Sequence, residues 1–370
     1  MSGCMRILII RFSSFGDIFQ ALEAAAHIKR IDSVAEIDWL VRRDFAPLLE
    51  NQNVIDSVIS FDRTQSAFEL IKTSWRLAPV YDRVYDAHSN LRSFVVRLVI
   101  QVYWLTHLSF VKKSVSIIKR PKDRIRRLLF FKLRLAVLPK PFKGAESFLR
   151  PLRAWYPGLV FSFESPTWNS MNESHAEQNT SSILGDFQKW SNERKGEIIA
   201  FAPSAAWPNK RWPVDRWLKL AKYWRTVDPT ARFLLLGGPD DAFLNEISNE
   251  LGPETAFNSV GKSTLLESAK LLSLVDALVA NDTGLLHVAD RLIKPSVAII
   301  GPTAFGYPSS PLAKFAETEL PCKPCSKDGR DRCTNSENLK CLKLITPEYV
   351  ATLLEKALSK KNPSRREQNP

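Results

Sequence analysis

The sequence predicts an α/β protein with two doubly wound parallel sheets facing a cleft, and three observations carry that prediction. Short apolar runs alternate with amphipathic stretches in two separate series, the pattern that builds a parallel sheet with helices on both faces. A polar stretch rich in Ser, Asn, Glu and Gln, residues 161–196, divides the two series. The 370 residues, 45% apolar and 25% charged, are enough for two cores of ordinary size. Residues 1–160 are therefore expected to form a first domain and 197–357 a second, with 161–196 an irregular linker and 358–370 a tail without fixed structure.

In the first series "RILIIRF" reads as a buried strand, Gln20 to Arg30 as a helix, "EIDWLV" as a strand and Phe45 to Asn51 as a helix. "SVISF" and "RVYDA" are two more strands around a polar helix. In the second series "EIIAFAP", "RFLLLGG", "ALVAND" and "PSVAIIGP" read as strands. Val214 to Thr226, Ala242 to Leu251, Leu265 to Leu274 and Gly284 to Leu292 read as helices. Ligands of open parallel sheets bind beyond the carboxyl ends of the strands, so function is to be sought in the strand-end loops.

Fifty-two Lys and Arg against 39 Asp and Glu leave a net charge of +13, which draws anions such as phosphates or acidic lipid surfaces. Residues 112–134 hold ten cations against Asp123 alone and so supply +9 of that total. The segment fits either a solvated helix face or a surface resting on anionic lipid. It carries no nucleic-acid-binding signature, and nucleic acid is not expected as a partner. The apolar stretch Phe94 to Val111 contains Arg97, Gln101 and His107, which exclude a bilayer-spanning helix. Near the amino terminus only Ile7 to Ile10 form an apolar run, too short for an export signal, and five cysteines do not make a disulfide framework. A reducing cytoplasmic setting is expected. Cys322, Cys325, Cys333 and Cys341 are spaced C-x2-C-x7-C-x7-C, which suits either a structural zinc bound by four thiolates or reduced thiols packing a loop.

Three strand-end loops carry candidate chemistry. "RFSSFGD" puts Ser13, Ser14, Gly16 and Asp17 on the turn into the first helix, where they suit a helix cap or an anion site, with Asp17 open as a base. Lys210, on the Pro- and Trp-rich turn "APSAAWPNKRWP", reads equally as a phosphate ligand or a surface lysine. In "NDTGLLH", Asp282, Thr283 and Gly284 open a helix whose amino end can cradle an anion, and His287 lies one turn on. There is no GxxxxGK[ST], complete GxGxxG or HExxH, so phosphate would be held by helix ends and lysine rather than by a P-loop.

Taken together, "RILIIRFSSFGDI", "YDRVYDAHSNLRS", "APSAAWPNKRWP", "LLLGGPDD", "NSVGKSTLLES" and "VANDTGLLHVADRLIKPSVAIIGPT" occur in the order seen in glycosyltransferase family nine, the ADP-heptose lipopolysaccharide heptosyltransferases. The chain resembles that family from residue 5 to about 350. The resemblance implies a glycosyltransferase B fold of two Rossmann-like domains, with the acceptor on the first and the ADP-sugar on the second. It implies inverting, metal-independent transfer of heptose to an inner-core lipopolysaccharide acceptor, at the inner leaflet of the membrane as a peripheral protein. The general base of the family's "GD" turn falls on Asp17, and the lysine that neutralises the departing diphosphate falls on Lys210. Asp282, Thr283, Gly284 and His287 match the block around the pyrophosphate and sugar, Asp240 an acidic position near ribose or sugar hydroxyls, and Gly261 to Ser263 the adenosine-side loop. Ser204 stands where the family often has glycine, and Asp290 where it often has alanine. On the acceptor side the resemblance points to Arg11, Ser13, Ser14, Gly16 and Arg92, and the basic segment adds Arg120, Lys122 and Arg124. A related transferase of the same fold with a different donor or acceptor is the alternative.

Overall fold

The computed structural model describes residues 4–50, 52–62, 64–107, 114–163, 165–169, 182–192 and 196–362. The chain divides into two compact units. The first is Met1–Asp123 with Ala145–Ser162 and Thr167–Asn169; the second is Arg124–Gly144, Phe163–Pro166 and Ser170–Pro370.

The first unit is built on five parallel strands: β1 (Arg6–Ile10), β2 (Glu36–Arg42), β3 (Ser57–Phe61), β4 (Arg83–Asp86) and β5 (Ser116–Lys119), in the order β3-β2-β1-β4-β5. Helices α1 (Phe15–Ile31), α2 (Ala67–Leu77) and α3 (Leu91–His107) form the crossovers. Ile7, Leu8, Ile9 and Ile10 of the central strand are fully buried, as a strand covered on both faces requires. The helix expected from Phe45 is a 3-10 turn over Arg43–Leu48, since Pro47 has no N–H for an α-helical bond. The apolar stretch that begins near Phe94 is α3, which turns Ser93, Val96, Ile100 and Trp104 to the core. Among the described residues no helix is long and apolar enough to cross a membrane.

In the second unit follow α4 (Arg124–Lys132) and β6 (Phe142–Lys143), and then α5 (Gly144–Leu149), most of which belongs to the first unit, and α6 (Ser182–Asn192). Its main sheet has six parallel strands, β7 (Ile198–Ala202), β8 (Arg232–Leu235), β9 (Ala256–Asn258), β10 (Ala277–Asn281), β11 (Ser296–Ile299) and, after β12 (Phe305–Tyr307), β13 (Ala313–Ala316). The order is β13-β11-β10-β7-β8-β9, while β6 pairs with β12 in a separate parallel ribbon. Helices α7 (Val214–Val227), α8 (Asn245–Leu251), α9 (Leu265–Ser273), α10 (Gly284–Arg291), α11 (Lys340–Lys343) and α12 (Pro347–Lys361) complete it. Trp212, Trp217 and Trp224 join Phe201, Phe233 and the α12 residues Val350 and Leu354 in one core.

Both units thus have the doubly wound parallel topology expected, but their boundaries differ from a simple division of the chain. Residues 124–144 join the second unit because β6 pairs with β12, Phe142 meets Phe305 edge to face at 4.9 Å, and the Arg127 guanidinium lies 4.6 Å over the Phe305 ring. The polar stretch 161–196 is not wholly irregular: α6 buries Ile183 and Phe187, while residues 164, 170–181 and 193–195 lie outside the described residues. Nor does the tail begin at residue 358. Helix α12 runs on to Lys361 because Leu358 still packs into the core and Ser359 is buried with it, and residues 363–370 lie outside the described residues.

The basic segment is divided between the two units. Lys112 and Lys113 fall outside the described residues, Lys119 ends the sheet-edge strand β5, and Arg124 opens α4 in the other unit. Arg126 donates to the Val137 carbonyl at 2.5 Å and Arg134 to that of Pro324, so part of its charge is spent within the protein.

Each main sheet has one place where the chain changes direction of winding, between β1 and β4 in the first and between β7 and β10 in the second. There the crossovers leave to opposite sides and open a gap at the strands' carboxyl ends. The loops singled out in the sequence lie at these two places.

Candidate functional site

At the β1/β4 junction the chain arranges charge around Asp17. Ser14 occupies the N-cap position of α1, yet its hydroxyl donates to Asp17 Oδ2 at 3.0 Å and caps no backbone N–H. Arg11 is buried; one terminal nitrogen donates to the Ala87 carbonyl at 2.9 Å and the other pairs with Asp17 Oδ2. The Arg11 and Arg120 guanidiniums lie 5.5 and 3.6 Å from the Phe148 ring. Arg120 also donates to Ser147 Oγ at 2.6 Å and stands 3.8 Å from Asp17 Oδ1. The Asp17 carboxylate, in the first turn of α1 and with its side chain 33% exposed, is thus fixed in direction and still open to a ligand.

The β4 loop completes this junction. Asp86 is fully buried; Oδ1 accepts from the backbone N–H of His88 at 3.0 Å and of Ser89 at 2.7 Å, and Oδ2 accepts from Arg97 Nε at 2.7 Å. These bonds hold Ser89 in a left-handed conformation with φ +54° and fold His88 beside the Asp17 loop. Burial first, then the charges of Arg11 and Lys122, push His88 down to about 4 against the opposing pull of Asp17, so its imidazole is neutral at physiological pH. Of the other residues expected here, Ser13 is half-buried, Gly16 is buried in α1, and Arg92 and Lys122 are exposed; Arg124 is exposed and belongs to the second unit. His88 and the Asp86–Arg97 pair were not singled out in the sequence, although they lie in the quoted block "YDAHSNLR" and its continuation; an acid directly after an apolar strand is the signal that could have found them.

At the β7/β10 junction a second cluster forms. Lys210 sits in the 3-10 turn Pro208–Lys210 with Nζ 2.9 Å from Asp282 Oδ2, both side chains only 12% exposed. Asp282 Oδ2 also accepts from Thr303 Oγ1 at 2.9 Å. Asn281, fully buried, stitches the two loops together: it donates to the Pro203 carbonyl at 2.5 Å and accepts from Trp212 N–H at 3.2 Å. Thr283 is the N-cap of α10, but its side chain caps no backbone N–H, and the N–H groups of the helix's first turn point toward the loop before it. His287 is buried one turn on.

Two glycines form the walls of the Lys210–Asp282 pair. At Gly306, φ +104°, a Cβ would sit 2.3 Å from Asp282 Oδ1. At Gly329, φ +92°, it would sit 2.6 Å from Lys210 Cγ. Neither glycine nor Thr303 was visible as a site residue in the sequence, because each reaches the pair from a distant loop. Beside the pair, Arg211 donates to the Ala205 carbonyl at 3.1 Å and lies 3.5 Å from buried Asp241, which in turn accepts from Gly238 N–H at 2.9 Å. The neighbouring Asp240 is exposed at the loop tip, and Ser204 is half-buried at the end of β7. Gly261 N–H donates to the Gly237 carbonyl at 3.0 Å, and the Ser263 hydroxyl is 2.8 Å from that of Ser268.

The four carboxyl-terminal cysteines line one small cavity with Asn209, Pro302 and Asp331. Asn335 donates to Cys322 Sγ at 3.6 Å and Leu339 N–H to Cys333 Sγ at 3.3 Å, while burial raises the Cys341 thiol to about 11. Among the described residues no group of three or more His, Cys, Asp or Glu is disposed to hold a metal ion.

A family model described as glycosyltransferase family 9 (heptosyltransferase) matches residues 161–335. Lipooligosaccharide heptosyltransferase 2 of Haemophilus influenzae is 35% identical over 321 residues, which cover 82% of this chain and 85% of that protein. Lipopolysaccharide heptosyltransferase 1 of Pseudomonas aeruginosa is 25% identical over 378 residues, 96% of this chain and 98% of the other. Among solved structures, ADP-heptose lps heptosyltransferase II of E. coli shares the fold, with a TM-score of 0.65 over 96% of this chain and 99% of that one at 22% identity.

Two outcomes test the geometry. Gly306→Ala forces a methyl group into the Asp282 carboxylate and is expected to weaken binding of inorganic pyrophosphate by at least about tenfold while the fold persists; calorimetric titration with pyrophosphate, with thermal melting as the fold check, measures it. His88 is depressed in the folded chain, so the unfolded chain takes up its proton first. Its contribution to stability is complete above about pH 6.5 and is lost as pH falls toward 4. In melts between pH 7.5 and 4, His88→Asn should show a shallower fall in midpoint than the parent protein.

Proposed function

The chain belongs to glycosyltransferase family 9, and on that premise we propose that it transfers a heptosyl group from ADP-heptose to a hydroxyl of an inner-core lipopolysaccharide acceptor. The acceptor oxygen attacks the anomeric carbon from the face opposite the diphosphate. A carbon–oxygen bond forms there as the bond to the diphosphate oxygen breaks, so configuration inverts. The acceptor proton passes to the Asp17 carboxylate, and ADP leaves with the electron pair. Lys210 and the backbone N–H groups at the amino end of α10 meet the negative charge that grows on the diphosphate. The reaction requires no metal in this scheme, and the ADP-sugar is a substrate rather than a cofactor.

The observation that carries this reading is the Lys210 ammonium, 2.9 Å from Asp282 and beside the uncapped end of α10. A cation and unpaired N–H groups at a sheet's switch point are what a diphosphate needs. Ser204, Asp240, Gly261, Ser263, Thr283, Gly284 and His287 are assigned to the donor. Ser13, Ser14, Gly16, Arg92, Arg120, Lys122 and Arg124 are assigned to the acid-rich acceptor. Arg11, buried and bonded to both Asp17 and the Ala87 carbonyl, serves the acceptor side chiefly by holding Asp17 in direction. Because such an acceptor is anchored by lipid, the protein works in the cytoplasm at the inner leaflet.

Asp17→Asn removes the base but keeps the shape. Its kcat should fall about 100- to 10,000-fold with ADP affinity unchanged, and retained turnover would take Asp17 out of that role. Lys210→Ala loses a charge-assisted contact and should weaken ADP binding about 10- to 100-fold. A panel of ADP-sugars assayed against truncated lipopolysaccharides identifies donor and acceptor, and preference for another sugar nucleotide overturns the heptose assignment.

A further inference from the structure

Helix α3 turns a continuous apolar stripe away from the core. Leu91, Phe94, Leu98, Val102 and Leu105 recur every three or four residues along its outer face and are 40–78% exposed. Helix α2 lies alongside. The Trp75 and Tyr103 rings meet edge to face at 5.1 Å, and Trp104 Nε1 donates to the Ala78 carbonyl at 3.0 Å. On α2, Phe68, Ile71 and Trp75 are exposed in the same helical spacing, the first at 69%. Scattered exposed apolar side chains are ordinary, whereas two adjacent helices with matching outward stripes make a patch that needs a partner.

Charge identifies the partner. The exposed ionisable groups on these two helices are Lys72, Arg76 and Arg92, all cations. Helix α3 contains no Asp or Glu, and α2 has only Glu69, half-buried in its first turn. Apolar side chains bordered by cations match an anionic lipid surface, with the apolar stripe entering the boundary between headgroups and acyl chains. Within the described residues neither helix is long and apolar enough to cross the bilayer. Val96, Ile100 and Trp104 on the opposite side are packed into the core, and Arg97 Nε is bonded at 2.7 Å to fully buried Asp86, so the stripe faces outward.

We infer that the outer faces of α2 and α3 form a docking surface for an anionic membrane, in which α3 lies flat with Leu91 to Leu105 in the lipid boundary. The surface begins at Leu91 and Arg92, immediately after the His88–Asn90 loop beside Asp17. It would deliver a lipid-anchored acceptor to that loop, and to that extent it rests on the acceptor proposed above.

Co-sedimentation of the full chain with vesicles of phosphatidylglycerol and phosphatidylcholine tests it, with pure phosphatidylcholine vesicles as the neutral arm. The parent protein should bind the anionic vesicles and bind the neutral ones at least about tenfold more weakly. The combined substitution Phe94→Ser, Leu98→Ser and Leu105→Ser should lower anionic binding at least about tenfold. The same variant should keep its melting midpoint and its turnover of an acceptor stripped of lipid chains. Lys72→Glu with Arg76→Glu should also weaken binding, and the difference should shrink at high salt. Unchanged pelleting of the serine variant, or absence of binding by the parent, overturns the docking surface. So does a loss confined to Arg124→Gln, Arg126→Gln and Lys132→Gln, which would assign docking to α4. A parent dimer in sedimentation velocity that the serine variant abolishes, without any vesicle binding, would assign the patch to a second copy. Vesicle binding as expected with no turnover of any lipopolysaccharide acceptor leaves the surface standing and removes the acceptor reading instead.

Discussion

A parallel sheet wound in both directions from a central pair of strands has to leave the loops of that pair without a crossover between them, and everything functional here depends on that constraint. In the first unit the central pair is β1 and β4, and their loops supply Arg11, Ser14, Asp17, Asp86 and His88. In the second it is β7 and β10, whose loops supply Lys210, Asn281, Asp282 and Thr283. The interiors of these strands are buried and apolar, so polar chemistry is confined to the points where they begin and end.

Each junction uses the same electrostatic device with the signs exchanged. Asp17 is an acid held by cations, and Lys210 is a cation held by an acid. A pair of this kind gains little net stability, because partial loss of water offsets much of the attraction. What it provides is direction: a long flexible lysine, or a carboxylate one methylene from the helix backbone, is kept in a single orientation before substrate arrives. The glycines at 306 and 329 show how closely the second pair is fitted, since the backbone itself comes within a methyl group's reach of both partners.

What the sequence made legible follows from the same constraint. Central strands such as "RILIIRF" and "ALVAND" are continuous apolar runs because both faces are covered, and the polar residues or glycine just beyond them mark the functional loops. The edge strands β5, β9 and β13 have only three or four residues and are partly exposed, so they left no comparable signal. Helix α12 opens with a Thr346 cap and Pro347, a readable start, but its last turn is rich in lysine and resembles the polar residues that follow it. Asp17, Lys210 and Asp282 could be picked out because each lies in the connection between a strand and the helix that follows it, Asp17 in that helix's first turn. Thr303, Gly306 and Gly329 could not, because their role exists only once β10 and distant loops are folded together.

The Asp86–Arg97 pair shows how one buried interaction can serve two ends. Replacing it with apolar side chains of similar size could preserve stability, as for many buried ion pairs. Such a replacement would lose the acceptor of two backbone N–H groups that folds His88 and Ser89 beside Asp17. It would also remove the tie between the first turns of α3 and the end of β4, which Arg97 makes beside the packed Val96 and Ile100. One carboxylate therefore both folds the loop and ties it to the first turns of α3, a role that fits a fully buried acid at the end of β4.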